Sequence, residues 1–410
     1  MEETQTKVSQ QDQDTIRFEI FTGLRNDRPI ERFEHSDLAA GTNIDIDNSG
    51  GIARRAGYTQ VAVGAAHSLW SDNVQCLLVQ GGALKKSDAA YTLTSLRTLA
   101  DANARVSYSK INDRVYFSNG TDTGIVEGGA ARSWGLPVPP TPGVSVTVGN
   151  MGAGAYQFTM TYSRADGQES GAALAGRADV VDGSGLNFAL PVSSDPSVVL
   201  KTLYISPPNS EVMYWALSAP NGQLTAQYAN NALELNLPLL TQFLGPAPAG
   251  QLVGYYRGCM FVASGNVLYP SEPFAYELFD LRKNIQLDGR ITMFAAMEDK
   301  DGSSSGLFLG TDKSHGILFG DSPEDFRYVP KADYGVVEGA MTYVDGALYG
   351  DNSAGVRPLP VWLTTQGICV GMPDMQIKNL TRTKFGFTAA GTGAALFMPG
   401  PNRLIFTSNF

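Results

Sequence analysis

The residues whose types and spacing come nearest to chemistry are acidic and lie in polar turns. In Asp45-Ile46-Asp47-Asn48-Ser49-Gly50-Gly51-Ile52, Asp at the first and third positions, Ser at the fifth, Gly at the sixth and an apolar eighth imitate a calcium loop. The twelfth position is Ala56, where such a loop needs a bidentate Glu, and no helical pattern flanks the run. The expectation is therefore a hairpin, Asn43 to Asp47 returning through Ile52 to Tyr58 around a turn at Asn48-Ser49-Gly50-Gly51. Asp299-Lys300-Asp301-Gly302-Ser303 reads the same way, as an Asp-Gly turn between strands.

Hydrolytic chemistry needs paired carboxylates, or a nucleophile with a base. Asp166 with Glu169 and Glu272 with Glu277 are close only in sequence, and neither Gly-x-Ser-x-Gly nor Gly-x-x-x-x-Gly-Lys occurs. Cys76, Cys259 and Cys369 are widely spaced and odd in number, which points to reduced, buried thiols rather than a disulfide or zinc framework. His35, His67 and His315 cluster neither with one another nor with the cysteines, so packing or turn capping is their expected use. Phe274, Tyr255, Tyr256 and Tyr276 are candidates to stack on a sugar, with core packing the expected role of each. No catalytic, cofactor-binding or metal-ligating residue is assigned, no cofactor is expected, and the chain reads as a non-enzyme.

The elements that would position such residues are short strands. Runs of Val, Tyr, Phe, Leu and Ile are cut off within a few residues by Gly, Asn, Asp, Ser or Pro, and no sustained helical period appears. Ala39-Ala40 after Ser36-Asp37, and the stretch from Leu99 to Ala104, hold a helical turn or two at most. One pattern recurs, a strand, a Gly-containing turn and a strand, starting at Cys76, Val115, Cys259, Leu307, Ala347 and Ala395. Most neighbouring starts lie about 40 to 48 residues apart, near the period of four-stranded propeller blades. Each pair reads as the inner hairpin of one blade, against the alternative of unrelated hairpins in a β-sandwich.

Between the pairs at Val115 and Cys259 the spacing breaks. Pro137, Pro139, Pro140 and Pro142 mark the front of an insertion, and Pro246 and Pro248 its back. Inside, the alternation Tyr156-Gln157-Phe158-Thr159-Met160-Thr161-Tyr162 and the turn Ala165-Asp166-Gly167-Gln168 suit an immunoglobulin-like or fibronectin III-like β-sandwich. The fold expected is all-β: an N-terminal arm over 1–20, a β-propeller in two parts, 21–136 and 251–410, and an inserted sandwich over 137–250. A last strand, Arg403 to Thr407, is expected to pair with N-terminal strand residues and close the propeller.

Charge excludes one class of partner. With a formal net charge of −10 over 410 residues and no basic run, the chain lacks the footprint of a protein that grips phosphates. The first twenty residues carry no apolar core of a secretory signal, and no apolar stretch is long enough for a membrane anchor.

FTGLRNDRPIERFEHSDLAAGTNIDIDNSGGIARRAGYTQV, AAHSLWSD, NDRVYFSNGTDTGIVEGGAARSWGLPVPPTP, TYSRADGQESG, and YPSEPFAYELFD followed by GRITMFAA together resemble the tail nozzle of short-tailed bacteriophages. This family is also called tail tubular or stabilisation protein. The resemblance runs over most of the chain after Phe21, in the order of its motifs. It implies a virion tail protein made in the bacterial host cytoplasm and assembled as a ring of six copies below the portal and its head-to-tail adaptor. DNA would pass through the lumen during ejection without specific binding, and tail fibres or spikes would attach outside. Residues near loop tips, such as Asp299 to Ser305 or Asn119 to Thr123, are candidates to face the lumen or a neighbour, with nothing in the sequence to choose among them. The alternative from another class is a carbohydrate-binding or glycan-hydrolysing receptor-recognition propeller.

Overall fold

The computed structural model of the protein describes residues 20–47, 49–231, 235–297, 306–349, 358–385, 391–400 and 402–409. Among them the chain is all-β, with strands throughout and two short 3-10 segments, Ile30–Arg32 and Gly346–Tyr349. No helix among the described residues is long and apolar enough to cross a membrane. The two stretches expected to hold a helical turn hold none: Asp37–Leu38 is a strand pairing with Gly23–Leu24, and 99–104 is a chain of bends.

Five antiparallel meanders of four strands each occur in chain order among the described residues; Ile285–Gln286 adds a fifth strand to the third sheet, and Thr392–Met398 and Arg403–Asn409 extend the last to six. Their strands run Ala66–Ser71 to Leu93–Thr98, Ser107–Ile111 to Ala130–Arg132, Leu252–Tyr256 to Ala275–Phe279, Ile291–Met297 to Arg327–Ala332, and Val336–Asp345 to Ile377–Asn379. Each sheet covers the next. Val115 and Phe117 pack with Leu77, Val79 and Leu84 of the first meander. Tyr116 and Ile125, on the opposite face of the same sheet, pack with Met260, Val262 and Phe279 of the third. Leu307 and Leu309 join Phe261, and Phe308 joins Trp362 of the fifth meander at a ring separation of 5.6 Å. Burial on both faces explains why these strands read as continuous apolar runs rather than as alternations. Each fully buried Leu or Phe contributes about 1.5–3 kcal/mol. Successive sheets stacked face to face in chain order stand in the relation of propeller blades.

The turns explain why glycine punctuates the pattern. Gly81-Gly82 and Gly128-Gly129 are two-residue hairpin loops with φ of +62°, +74°, +58° and +83°, the left-handed geometry that matches strand twist and that glycine adopts without strain.

The hairpins flagged by sequence at Cys76, Val115, Cys259 and Leu307 are the second and third strands of their meanders, not the innermost pair. The first strands are the ones that converge: Ser107–Ile111 lies beside Leu252–Tyr256, that beside Ile291–Met297, and that beside Val336–Asp345. The hairpin expected at Ala347 is absent, because Gly346–Tyr349 is a 3-10 turn and 350–357 lies outside the described residues. The fifth meander instead turns between Pro358–Thr364 and Gly367–Gly371.

The terminal strand Arg403–Asn409 pairs with Thr392–Met398, not with an N-terminal strand. Contact between the chain ends is made by other means. Arg403 reaches Asp45 at 3.1 Å, and the Asn26 amide donates to the Lys384 carbonyl. Arg105, at the entry to the second meander, donates to the carbonyls of Gly393 (2.8 Å) and Gly339 (3.1 Å), linking the early meanders to the last. Gly339 has φ of +79°, and a Cβ there would stand on the Arg105 guanidinium. Gly339→Ala is therefore expected to displace Arg105 as well as strain the backbone, lowering stability by about 2 kcal/mol in a urea titration. In an Arg105→Ala background much of the cost of Gly339→Ala should vanish if that contact is the cause.

The insertion is a two-sheet sandwich. Gly143–Met151, Ser184–Ala189 and Thr225–Tyr228 form one sheet, and Gly176–Val180, Gly154–Arg164, Val198–Ile205 and Tyr214–Pro220 the other. Tyr156, Phe158 and Met160 meet Leu186 and Phe188 between them, with Phe158 edge-on to Phe188 at 5.1 Å. Both connections to the sandwich run along the outer strand of the third meander. Gly245 exchanges two 2.9 Å hydrogen bonds with Phe279, the Ala247 amide donates to the Trp134 carbonyl, and the Trp134 indole donates to the Tyr276 carbonyl.

Candidate functional site

Two polar constellations stand out. The first is a buried junction around Glu277. This residue sits in the strand Ala275–Phe279, between Tyr276 and Leu278, and only 2% of its surface is exposed. Arg164, from the sandwich strand Gly154–Arg164, clasps it with two hydrogen bonds of 2.8 and 2.9 Å. Arg132, ending the second meander, does the same at 2.9 and 3.0 Å. Arg114 stands 3.8 Å away. Burial opposes ionisation of Glu277, but Arg164 and then Arg132 override it and hold the carboxyl below the usual carboxylate range. The same Arg164 also holds Asp166, at 3.3 Å. Glu277 thus joins the second meander, the third and the sandwich at one point, and the bidentate forks fix direction as well as distance.

That geometry disposes of the paired carboxylates. Glu272 binds Lys283 at 3.0 Å, away from the Arg132–Arg164 clasp that holds Glu277. Glu169 accepts hydrogen bonds from Thr161 and Tyr204, while Asp166 faces Arg164. Every one of the four carboxylates has a structural partner, and none stands as an acid opposite a base.

The calcium-like loop is a hairpin, pairing Ile44 with Arg54 and Ile46 with Ile52, so its return strand ends at Arg54, short of Tyr58. Asp47 accepts from the amides of Ser49 and Gly51, and Asp45 is held by Arg55 and Arg403. Asp299-Lys300-Asp301-Gly302-Ser303, and the whole loop to Ser305, lies outside the described residues. The turn Asn119 to Thr123 is not a free tip: Asn119 and Asp122 are buried, and Asp122 accepts from the amides of Ala100 and Asp101. Tyr256 is core, packed near Phe326, and Tyr255 and Tyr276 stand edge-on at 6.0 Å. Phe274 is 79% exposed but lies alone over Gly258, so the four aromatics make no platform. The three cysteines are free thiols, and burial pushes Cys259 up to about 11, which leaves it unreactive. His67 bridges Ser68 and the Ala102 carbonyl.

The second constellation has no counterpart among the motifs read from sequence. Between the fourth and fifth meanders opens a polar cleft of about 610 Å³, with His315, Tyr334, Ile377 and Asn379 in its wall. His315 is fully buried. Its Nδ1 lies 3.1 Å from the Tyr334 carbonyl, which can only accept, so the ring proton is on Nδ1 and Nε2 is a bare acceptor with no partner among the described residues. Burial pushes this imidazole below its ordinary value, against the smaller opposite pull of that hydrogen bond. Asn379 is spoken for, donating to the Gln366 carbonyl and accepting from the amides of Thr381 and Arg382. Lys331, Asp333, Gln366, Gln376 and Arg382 line the exposed rim. No motif announces the cleft, because its residues come from separate stretches of the chain that meet only in the fold.

Neither a protein-family model nor a curated protein sequence matches the chain. Among solved structures, it is similar to the extracellular domain of a hybrid two-component system from B. thetaiotaomicron, at 10% identity and a TM-score of 0.32, over 86% of this chain and 38% of that one. It is also similar to PorZ, a surface component of the type-IX secretion system of Porphyromonas gingivalis, at 14% identity and a TM-score of 0.23, over 87% of this chain and 52% of that one. The chain thus spans about half or less of the length of each.

Proposed function

We propose that the chain is a structural subunit of a short-tailed phage virion, one copy of a six-membered ring that forms the distal tail nozzle below the portal and adaptor. In this reading it breaks no bond: it is a conduit and gate for DNA ejection and a platform for fibres or spikes. The motif resemblance suggests which assembly. The observation that carries the assembly itself is the uncovered edge of the sandwich.

Gly143–Met151 is an edge strand, paired only on one side with Ser184–Ala189. Val144 and Val146 stand opposite Phe188 and Leu186, hence on the core-facing side of the sheet, yet Val144, Val146 and Val148 are 37, 56 and 83% exposed. A nine-residue strand with open backbone groups and uncovered valines is a pairing surface, the kind that isolated soluble proteins blunt with charge or proline. The Glu277 clasp supports the same reading, since a subunit that passes load needs its two parts held in one orientation. Arg105 bridges the region where the first strands converge, so a DNA path belongs between copies on a ring axis and not through one chain. The chain's net charge of −10 suits passage without capture.

The test is the mass of the purified chain by light scattering, alone and with tail components added. A six-fold mass in either condition is expected, and Val146→Lys should reduce it while leaving the circular dichroism unchanged. A chain that stays monomeric in both conditions overturns the reading.

A further inference from the structure

The cleft between the fourth and fifth meanders is used by nothing in the assembly reading, and the inference drawn from it stands without that reading. Its composition is specific. Among the described residues, the side chains of Lys331, Arg382, Asp333, Gln366 and Gln376 make no hydrogen bond or salt bridge, although they line one opening. Other charges are tied together, as at Glu277 and Asp45. Below the rim, the lining includes the fully buried His315 and the apolar groups of Met375 and Ile377.

The mixture decides the ligand class. A bare phosphate or sulfate wants donors alone, and Asp333 with two carboxamides is a poor lining for it. A neutral sugar suits Asp333, Gln366 and Gln376, which between them give and take hydrogen bonds with hydroxyls, but leaves Lys331 and Arg382 unmatched in an otherwise acidic chain. An acidic sugar satisfies both sets: its carboxylate meets the Arg382 fork and Lys331, its hydroxyls meet the carboxamides and Asp333, and its C–H face lies on Met375 and Ile377. The volume is that of a pocket for a small molecule or a short saccharide. Asp333 is the lone carboxylate among the lining residues, so the cleft lacks the carboxylate pair of ordinary glycoside hydrolysis.

We propose that this cleft, walled by His315 and Tyr334 and rimmed by Lys331, Asp333 and Arg382, is a binding site for a carboxylate-bearing sugar unit of a glycan.

The experiment titrates the full chain with four probes: digalacturonate, sialyllactose, lactose and inorganic phosphate, followed by calorimetry and by saturation-transfer NMR. At least one of the two acidic saccharides is expected to saturate, with lactose and phosphate each weaker by about tenfold. Arg382→Ala and Lys331→Ala, both at exposed positions, should each weaken the acidic saccharide by a similar factor and leave lactose unchanged. Absence of saturable binding by both acidic saccharides overturns the proposal. So does phosphate binding as tightly as they do, which would leave an anion spot. Binding is read on the chain in whatever oligomeric state it adopts, so failure here and failure of the ring are separate outcomes.

Discussion

Glu277→Gln is expected to destabilise the chain by about 3–5 kcal/mol and to split its thermal unfolding into two transitions. The magnitude follows from what is left behind. Glutamine keeps the shape but not the charge, so Arg164, buried at the end of its strand, and Arg132 face each other across a neutral amide. An ion deprived of its partner in the interior costs far more than an exposed pair is worth, so removing Arg114, more than a third exposed and 3.8 Å away, should cost under about 1 kcal/mol. The splitting follows from where the three arginines sit. Two belong to the second meander and one to the sandwich, while Glu277 belongs to the third meander. Without it, the sandwich keeps the backbone contacts at Gly245 and Phe279, the short contacts at Trp134, the Arg114–Asp166 pair at 3.9 Å and Arg282 over the Phe243 ring. Calorimetry that showed one unchanged cooperative transition for Glu277→Gln would mean that those contacts, not the clasp, unite the parts.

How much of this is legible in the chain depends on sequence distance. The hairpins at Cys76, Val115, Cys259 and Leu307 are readable because a short polar turn, Gly-containing in the first three, fixes its own pairing locally. Their place within each meander is not, because which strand lies inward is decided by packing between sheets far apart in the chain. The insertion is visible from its prolines, and the alternation Tyr156 to Tyr162 from its half-buried sheet. The hairpin expected at Ala347 is missing because a 3-10 turn satisfies the same local composition as a turn between strands. Glu277 leaves one faint signal, a lone carboxylate in the apolar strand Ala275-Tyr276-Glu277-Leu278-Phe279, where a charge requires a partner. Nothing local says that the partners are Arg132 and Arg164. The cleft leaves no signal at all, since loops that are polar everywhere do not reveal which of them meet.

Acid should weaken the chain in two steps, and the first belongs to His315. The ordinary imidazole value is 6.5, and burial lowers it in the folded state. The unfolded chain therefore binds more protons than the folded one just below pH 6.5, so stability is complete above that value and is lost as pH falls through the lowered one. Each unit of lowering corresponds to about 1.4 kcal/mol. The cause of the loss is burial of the ring, since His315 is fully buried and Lys331 and Arg382 outnumber Asp333 among the residues lining the same cleft. Glu277 supplies the second step. Its folded value lies below the ordinary 4.5, so its contribution is present above pH 4.5 and disappears only as pH falls further, when protonation undoes the clasp. Urea midpoints measured from about pH 7.5 down to about 3.5 separate the two. His315→Leu should abolish the slope between about pH 6.5 and 5 while keeping the lower step, and Glu277→Gln should keep the upper slope and reduce the lower step, to which Asp72, Glu127, Asp166 and Asp280 also contribute. Equal slopes in wild type and His315→Leu across the upper window would show that His315 reaches solvent or a counter-ion and is not held neutral between the two meanders.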